Sequence, residues 1–255
     1  MDCVIVAGGR LTTEDPLYPY TWGKPKALLD IAGRAMLDYV LAALQSAQHI
    51  ENVIVVGLDE GDGAELQPAR PLIFLQDEGS IVKNIRAGIA WLQIHCPGSE
   101  EVLLSTGDIP LITGAIVDSF VESCQPFDHL VYYNVVKRET MERSFPNSNR
   151  TFVKLKGLEV AGGDLVLAQK RIADTNQQLW EALTDARKHP WRLARIVGAS
   201  TLLKLLLRQL SLDEAQQAAD RMLGATVKVL ISPYPEVAMD VDNPYQVEYL
   251  RRKLT

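Results

Sequence analysis

"VIVAGGR", residues 4–10, joins four consecutive apolar residues to a pair of glycines and a cation. Val4, Ile5, Val6 and Ala7 form the short uninterrupted run of a strand buried on both faces. Gly8 and Gly9 let the backbone turn sharply and approach a ligand closely. An ordinary tight turn would use the same residues, so the pattern around them has to decide. Arg10 is followed by a proline-bearing loop that ends in "GKPK", residues 23–26. A dinucleotide fingerprint needs a third glycine leading straight into a helix, and Pro16, Pro19 and Pro25 forbid that here. A Walker loop needs a hydroxyl after its lysine, where this chain has Pro25. What remains is a glycine turn with backbone N–H groups beside Arg10, Lys24 and Lys26, a combination that suits a polyphosphate.

Outward from that stretch, strands and helices alternate. Residues 2–7 read as a strand and 35–48 as an amphipathic helix. "NVIVVG" (52–57) and "PLIFL" (71–75) are strands, 80–95 is a helix, and "EVLLST" (101–106) is a strand. This alternation predicts an α/β fold: a Rossmann-like three-layer architecture around a mainly parallel mixed sheet. Ligands of such sheets bind outside the carboxyl ends of the strands, so the loops after residues 7 and 106 are the places to look. "FDHLVYYNVV" (127–136) follows. Residues 137–150 read as a polar loop with Pro146, Asn147 and Asn149, and "TFVKL" (151–155) as a strand. A helical pattern fills about 165–223, with Ser211 and Glu214 spaced as a capping box. "TVKVLIS" (226–232) returns to strand and Pro244–Leu254 closes as a helix. The chain therefore reads as a single domain, 1–255, with a helical insertion. Within it "LLKLLL" (202–207) reads as buried core packing, with a dimer face or a lid as alternatives.

Composition narrows the function. The 255 residues are 47% hydrophobic and 23% charged, with a formal net charge of −6. That balance argues against a broad nucleic-acid surface. No apolar run reaches the length of a membrane helix and no leader pattern is evident, so no membrane partner is expected. Cys3, Cys96 and Cys124 show no metal-ligand spacing, and His49, His95, His129 and His189 stand alone, which points to reduced thiols in a cytoplasmic protein.

Two further stretches carry acidic residues. In "VLLSTGDIPLIT" Gly107 turns the chain and Asp108 stands at a strand's carboxyl end. A lone Asp there also suits a turn or cap. In "EVAMDVDNPYQVEYL" Asp240 and Asp242 alternate before Pro244, and Asp242 or Asn243 suits the N-cap of the last helix. A hard cation such as Mg²⁺ takes a few carboxylates plus substrate phosphate oxygens.

"VIVAGGR", "GKPKALLDIAGRAMLDYVLAAL", "STGDIPLI" and "MDVDNPYQVEYL", in this order, resemble the MobA-like NTP transferases, nucleotidyltransferases with a GT-A-like fold. The resemblance is specific over 3–44 and 101–112, good at 238–250, and fades across 137–223. It implies that a phosphorylated small-molecule acceptor attacks the α-phosphate of an NTP and releases pyrophosphate. Ala7, Gly8, Gly9, Arg10, Lys24 and Gly107 would bind the nucleotide, Lys26, Arg10 and Asp108 would act in catalysis, and Asp108 with Asp240 would hold Mg²⁺. Asp242 is the alternative ligand. In "DEGSIVKNIRAGI", Ser80, Asn84 and Gly88 match the segment beside base and ribose, against a plain capped helix as the alternative. Gly162-Gly163-Asp164 stands where relatives carry Gly-Gly-Asn, with a hairpin turn as the alternative, and Arg187, Lys188, Arg192 and Arg195 suit an anionic acceptor or a solvated helix face. Arg10 follows the glycines at once and the loop runs on to Lys24, whereas the family has a short loop with Arg a few residues on. Ala35 replaces a usual proline. A GT-A glycosyltransferase and a non-catalytic nucleotide-binding module are the competing readings, and a homodimer is compatible with all three. Acceptor and nucleobase stay open, because fold does not select them.

Overall fold

The computed structural model describes residues 1–174 and 198–255. Its centre is a sheet whose first half is parallel. Strands β1 (Asp2–Val6), β2 (Val53–Val56), β3 (Ile73–Leu75) and β4 (Glu101–Thr106) lie in the order β3-β2-β1-β4. Val4 sits opposite Ile54 on one side and Leu104 on the other. All of β1 and β2 is buried, as the apolar runs 3–6 and 53–56 require, and the charged first residue of β1, Asp2, is paired with Lys170 at 3.1 Å.

The second half is mixed. β5 (Val131–Lys137), β6 (Val153–Leu155), β7 (Leu158–Gln169) and β8 (Val227–Ser232) extend the order to β4-β7-β5-β8. β7 runs antiparallel to β4, β5 and β6, whereas β8 is parallel to β5. Helices α1 (Met36–Ser46) and α3 (Gly114–Ser123) cover one face, where Leu37, Leu41, Val117 and Phe120 share a core with Ile5 and Val55. Helix α2 (Ile81–His95) covers the other, packing Ile89 and Leu92 on Val4, Ile54 and Val102. Three layers result, and the alternating side chains of β1 supply both cores.

Several elements depart from the sequence reading. Residues expected as loop form α4 (Arg138–Ser144), with Met141 buried at its centre. β7 continues to Gln169, where a helical pattern was expected from about 165. Leu165, Leu167 and Ala168 are buried in the sheet, and an apolar run of that length does not separate strand from helix by periodicity. The helical part resumes as α5 (Ala199–Leu206) and α6 (Leu212–Leu223), the latter started by the expected Ser211–Glu214 capping box. In "LLKLLL" core packing fails: Leu203, Leu206 and Leu207 are exposed, while Leu205 alone packs toward the cluster of Val135 and Val160. Arg187, Lys188, Arg192 and Arg195 lie outside the described residues. Among those described, no helix is long and apolar enough to cross a membrane.

One glycine fixes the spacing of helix and sheet. A Cβ at Gly88 of α2 would lie 2.5 Å from Val4 Cγ1, so the helix approaches β1 through the missing side chain. Val4 is fully buried and β-branched and has no room to yield. Gly88→Ala is therefore expected to lower unfolding free energy by about 1–3 kcal/mol, the range for overpacking, despite Ala's better helix propensity. Urea denaturation checks this, and a gain in stability would show that the spacing is elastic.

Candidate active site

The cleft opens at the carboxyl ends of β1 and β4, where the strand order reverses. It has a volume of about 370 Å³ and is walled by the Gly8-Gly9 turn, Lys26, residues 79–81, Asn84, Thr106–Asp108 and Asp242. The size suits a small polar ligand.

The two glycines after β1 have different tasks. Gly9 has φ of +114° and open space where a Cβ would be, so it serves the turn itself. Gly8 serves close packing. A Cβ there would come within 3.1–3.2 Å of Asp77 Oδ1, Asn84 Nδ2 and the Cα of Gly57. Gly57 (φ +102°) ends β2 and presses on Gly8 in turn, a contact the sequence does not advertise. The backbone continues as a pair: Gly107 N–H bonds to Val6 O, prolonging the β1–β4 pairing into the turn at Asp108.

Lys26 returns to this turn after the long loop, its own N–H bonded to Gly9 O. Its ammonium lies 2.6 Å from Asp108 Oδ2 and 2.7 Å from Asp242 Oδ1. Burial pulls the lysine toward neutrality, but the two carboxylates outweigh it and hold its pKa above the usual value. Val241 N–H bonds to Asp108 O, which brings the late acidic stretch alongside β4. Asp108 Oδ1 and Thr106 Oγ1 are buried without a hydrogen-bond partner.

Asp164 is a third carboxylate, within the field of Asp108 and Asp242. Burial, and then the charge of Asp108, push its pKa up to about 7, so it is half-protonated near neutrality. It stands in an irregular stretch of β7. Tyr133 pairs with Val166 and Val135 with Gly162, so Asn134 alone faces Gly163, Asp164 and Leu165. Such a bulge re-aims side chains beside a site.

The structure regroups several expected residues. Asp240 does not line the cleft. Its carboxylate is ion-paired with Arg150, which the sequence reading left out, and Asp242 is the one that reaches Asp108 and Lys26. Asp242 is also not the helix cap: Asn243 caps α7 (Pro244–Leu254) in a capping box with Gln246. Arg10 points away, to Asp62 at 2.8 and 3.0 Å, and Lys24 to Glu65 at 3.3 Å. The acidic run "LDEGDGAE" (58–65) was the available signal for both pairs. Ser80 lines the cleft while capping α2, its Oγ accepting from Lys83 N–H. Asn84, almost wholly buried, braces the adjoining loop through Glu78 N–H at 2.7 Å and Asp77 Oδ1 at 2.8 Å. Ala7 and Gly107 lie in the wall of the cleft.

Residues 3–196 match the family model of the MobA-like NTP transferase domain. A hypothetical transferase of known structure from Thermus thermophilus is 34% identical, with a TM-score of 0.82 over 96% of this chain and 98% of that one. CMP:2-keto-3-deoxy-manno-octonic acid synthetase, solved in complex with CTP, shares the fold at a TM-score of 0.62 and 14% identity, over 100% of this chain and 98% of that one. The bifunctional protein GlmU of Methylibium petroleiphilum is 29% identical over 128 residues, 49% of this chain and 26% of that protein. The aligned region is thus about a quarter of that curated relative's length.

Asp164 gives the acidic corner beside the cleft a pH signature. A carboxyl whose pKa rises from 3.8 to about 7 on folding binds more protons in the native state across that window. Its contribution is complete below the unfolded value and is lost as pH rises through the folded one. Asp164→Asn, neutral at every pH, should therefore gain stability relative to the parent as pH goes from about 4 to about 7. Denaturant titrations at a series of pH values measure this, and a difference constant with pH would place the Asp164 charge in water.

Proposed function

The chain belongs to the MobA-like NTP transferase family of nucleotidyltransferases, and we propose that it transfers NMP from an NTP to a phosphorylated small-molecule acceptor, using Mg²⁺ and releasing pyrophosphate. The observation that carries this reading is the Lys26 ammonium held between Asp108 and Asp242 at the floor of the glycine-walled cleft. In this reading the backbone of Gly8 and Gly9 receives the phosphates, and Lys26 faces the α-phosphate and stabilises the charge that develops there. The whole chain acts as one domain in the cytoplasm, and its three cysteines are free thiols.

The residues present suit a hard dication. Asp108 offers a buried oxygen with no partner, and Asp242 adds a largely exposed carboxylate. Among the described residues no three ligand side chains converge on a ready-made cage, which fits an ion that completes its shell with water and substrate oxygens. Asp108 and Asp242 would hold the ion, with Asp240 assigned elsewhere. When bound, the ion supplies charge neutralisation for the phosphates and a fixed orientation for in-line attack.

Arg10 and Lys24 take a second role. Their side chains are more than half exposed, and their pairs with Asp62 and Glu65 are of the weak, solvent-screened kind. Exchanging a carboxylate for a triphosphate costs them little, so they grip the outer phosphates. The wall from Gly79 to Asn84 lies beside the base, and the Asp164 bulge faces the acceptor. The CTP bound by the synthetase of the same fold supports a nucleotide here as well.

The test is a pyrophosphate-release screen of the NTPs against phosphorylated metabolites with Mg²⁺. Pyrophosphate, rather than a nucleoside diphosphate, separates nucleotidyl transfer from glycosyl transfer, and turnover separates it from a binding module. Lys26→Ala should still bind nucleotide by calorimetry while kcat falls by on the order of 10²–10³, the cost of one lost oxyanion donor. Undiminished turnover in that variant would remove Lys26 from the chemistry.

A further inference from the structure

We propose that Arg150 is a positioning residue: by clamping Asp240 to the Gly162 edge of the β7 bulge, it sets where Asp242 stands in the cleft. The inference rests on the reading of Asp242 given above.

The clamp is visible residue by residue. Arg150 follows the loop after α4, and its side chain and that of Asp240 are each only 13% exposed. One guanidinium nitrogen pairs with Asp240, and the other, Nη2, donates to Gly162 O at 3.2 Å. Gly162 is where the β5–β7 pairing resumes after the bulge that carries Asp164. A side chain there would overlap the Tyr133 hydroxyl, so the carbonyl has little freedom to move. Arg150 thus joins the acceptor edge to the acidic stretch through a rigid two-armed fork.

The next residues are held as tightly. Val241 is fully buried, and its N–H bonds to Asp108 O at 3.1 Å. Asp242 N–H donates to Gln246 Oε1 at 2.6 Å, and the Gln246 amide donates to Ser148 O at 3.1 Å. Ser148 belongs to the same loop as Arg150. The loop therefore grips both ends of the segment 240–246, and the Asp242 side chain is left to reach Lys26 from a fixed backbone. A secluded ion pair is often no more stabilising than an apolar pair of the same size. Its value here lies in direction: the charges align two walls that the sheet alone does not connect.

Arg150→Ala, Arg150→Lys, Asp240→Asn and the double variant Arg150→Ala/Asp240→Asn test the clamp. Hydrogen exchange of peptides covering 239–246 reads it directly, with or without turnover. Exchange there should quicken at least about tenfold in Arg150→Ala, while β1 and β2 keep their protection. Where the parent releases pyrophosphate, kcat should fall by about 10- to 100-fold, the scale of a misplacement near one ångström, and the Mg²⁺ concentration for half-activity should rise. The double variant should be no worse than either single variant, because both singles break one device. Arg150→Lys should recover part of the loss, keeping a charge for Asp240 but not the second arm. Should Arg150→Ala fail to fold, Asp240→Asn and Arg150→Lys carry the same readings. Unchanged exchange at 239–246 in the folded variants overturns the clamp, as does additive loss in the double variant. An Asp240→Asn loss of Mg²⁺ response with Arg150→Ala unaffected also overturns it and makes Asp240 a ligand. A parent that turns over no NTP sinks the nucleotidyl-transfer reading instead, and exchange still decides the clamp.

Discussion

Two carboxylates and one ammonium, drawn from residues 26, 108 and 242, organise this molecule. Asp108, little exposed, and Asp242, largely exposed, repel one another at this corner, and a cation between them offsets that repulsion. Lys26 supplies it with contacts of 2.6 and 2.7 Å. The three residues come from the loop after β1, the turn after β4 and the entry to α7. Each of those segments is positioned by something nearby: Gly9 O for Lys26, the β1–β4 pairing for Asp108, and Asp108 O for Val241. The parallel half of the sheet places the first two, and the mixed half returns the chain to place the third.

What the sequence revealed follows from how local each signal is. β1 and β2 were legible from the apolar runs 3–6 and 53–56 that two-sided burial requires, and β4 from its apolar stretch 102–104. The turn glycines and the α7 start were legible because a positive φ or a capping residue leaves its own mark. The α7 cap is marked twice in the sequence. Pro244 occupies the first helical position, which makes Asn243 the cap and frees Asp242 for the cleft. β7 was misread past 165 because "LVLAQ" suits either period, and only its pairing with β4 and β5 makes it a strand. Arg150 left no local mark at all. Its partner is 90 residues away, and nothing in "NSNR" distinguishes a clamp from a solvated turn.

Cations were the other weak point, for a related reason. Arg10 and Lys24 invite a phosphate reading because they flank a glycine turn. Yet a cation takes whatever anion geometry offers, and the turn Asp62–Glu65 is within reach of both. The two readings are compatible because these are exposed pairs, easily exchanged for a more highly charged partner. The same cannot be said of Arg150 and Asp240, which are too secluded to trade partners freely. Exposure thus separates Arg10 and Lys24, free to meet a ligand, from Arg150, committed to architecture.

Asp164 shows how that architecture bears on chemistry. It lies in the field of Asp108 and Asp242, opposed by Arg150 and Lys26, and burial makes its proton hard to lose. A protonated carboxyl can donate a hydrogen bond as well as accept one, whereas an ionised carboxylate only accepts. Asp164 therefore has a donor to offer while it holds its proton and loses that donor on ionising. The bulge at 163–165 carries the side chain, and Arg150 Nη2 donates to Gly162 O at its edge. Charge and backbone geometry meet at this wall in the same few residues, so the bulge of β7 and the acidic corner share one electrostatic field.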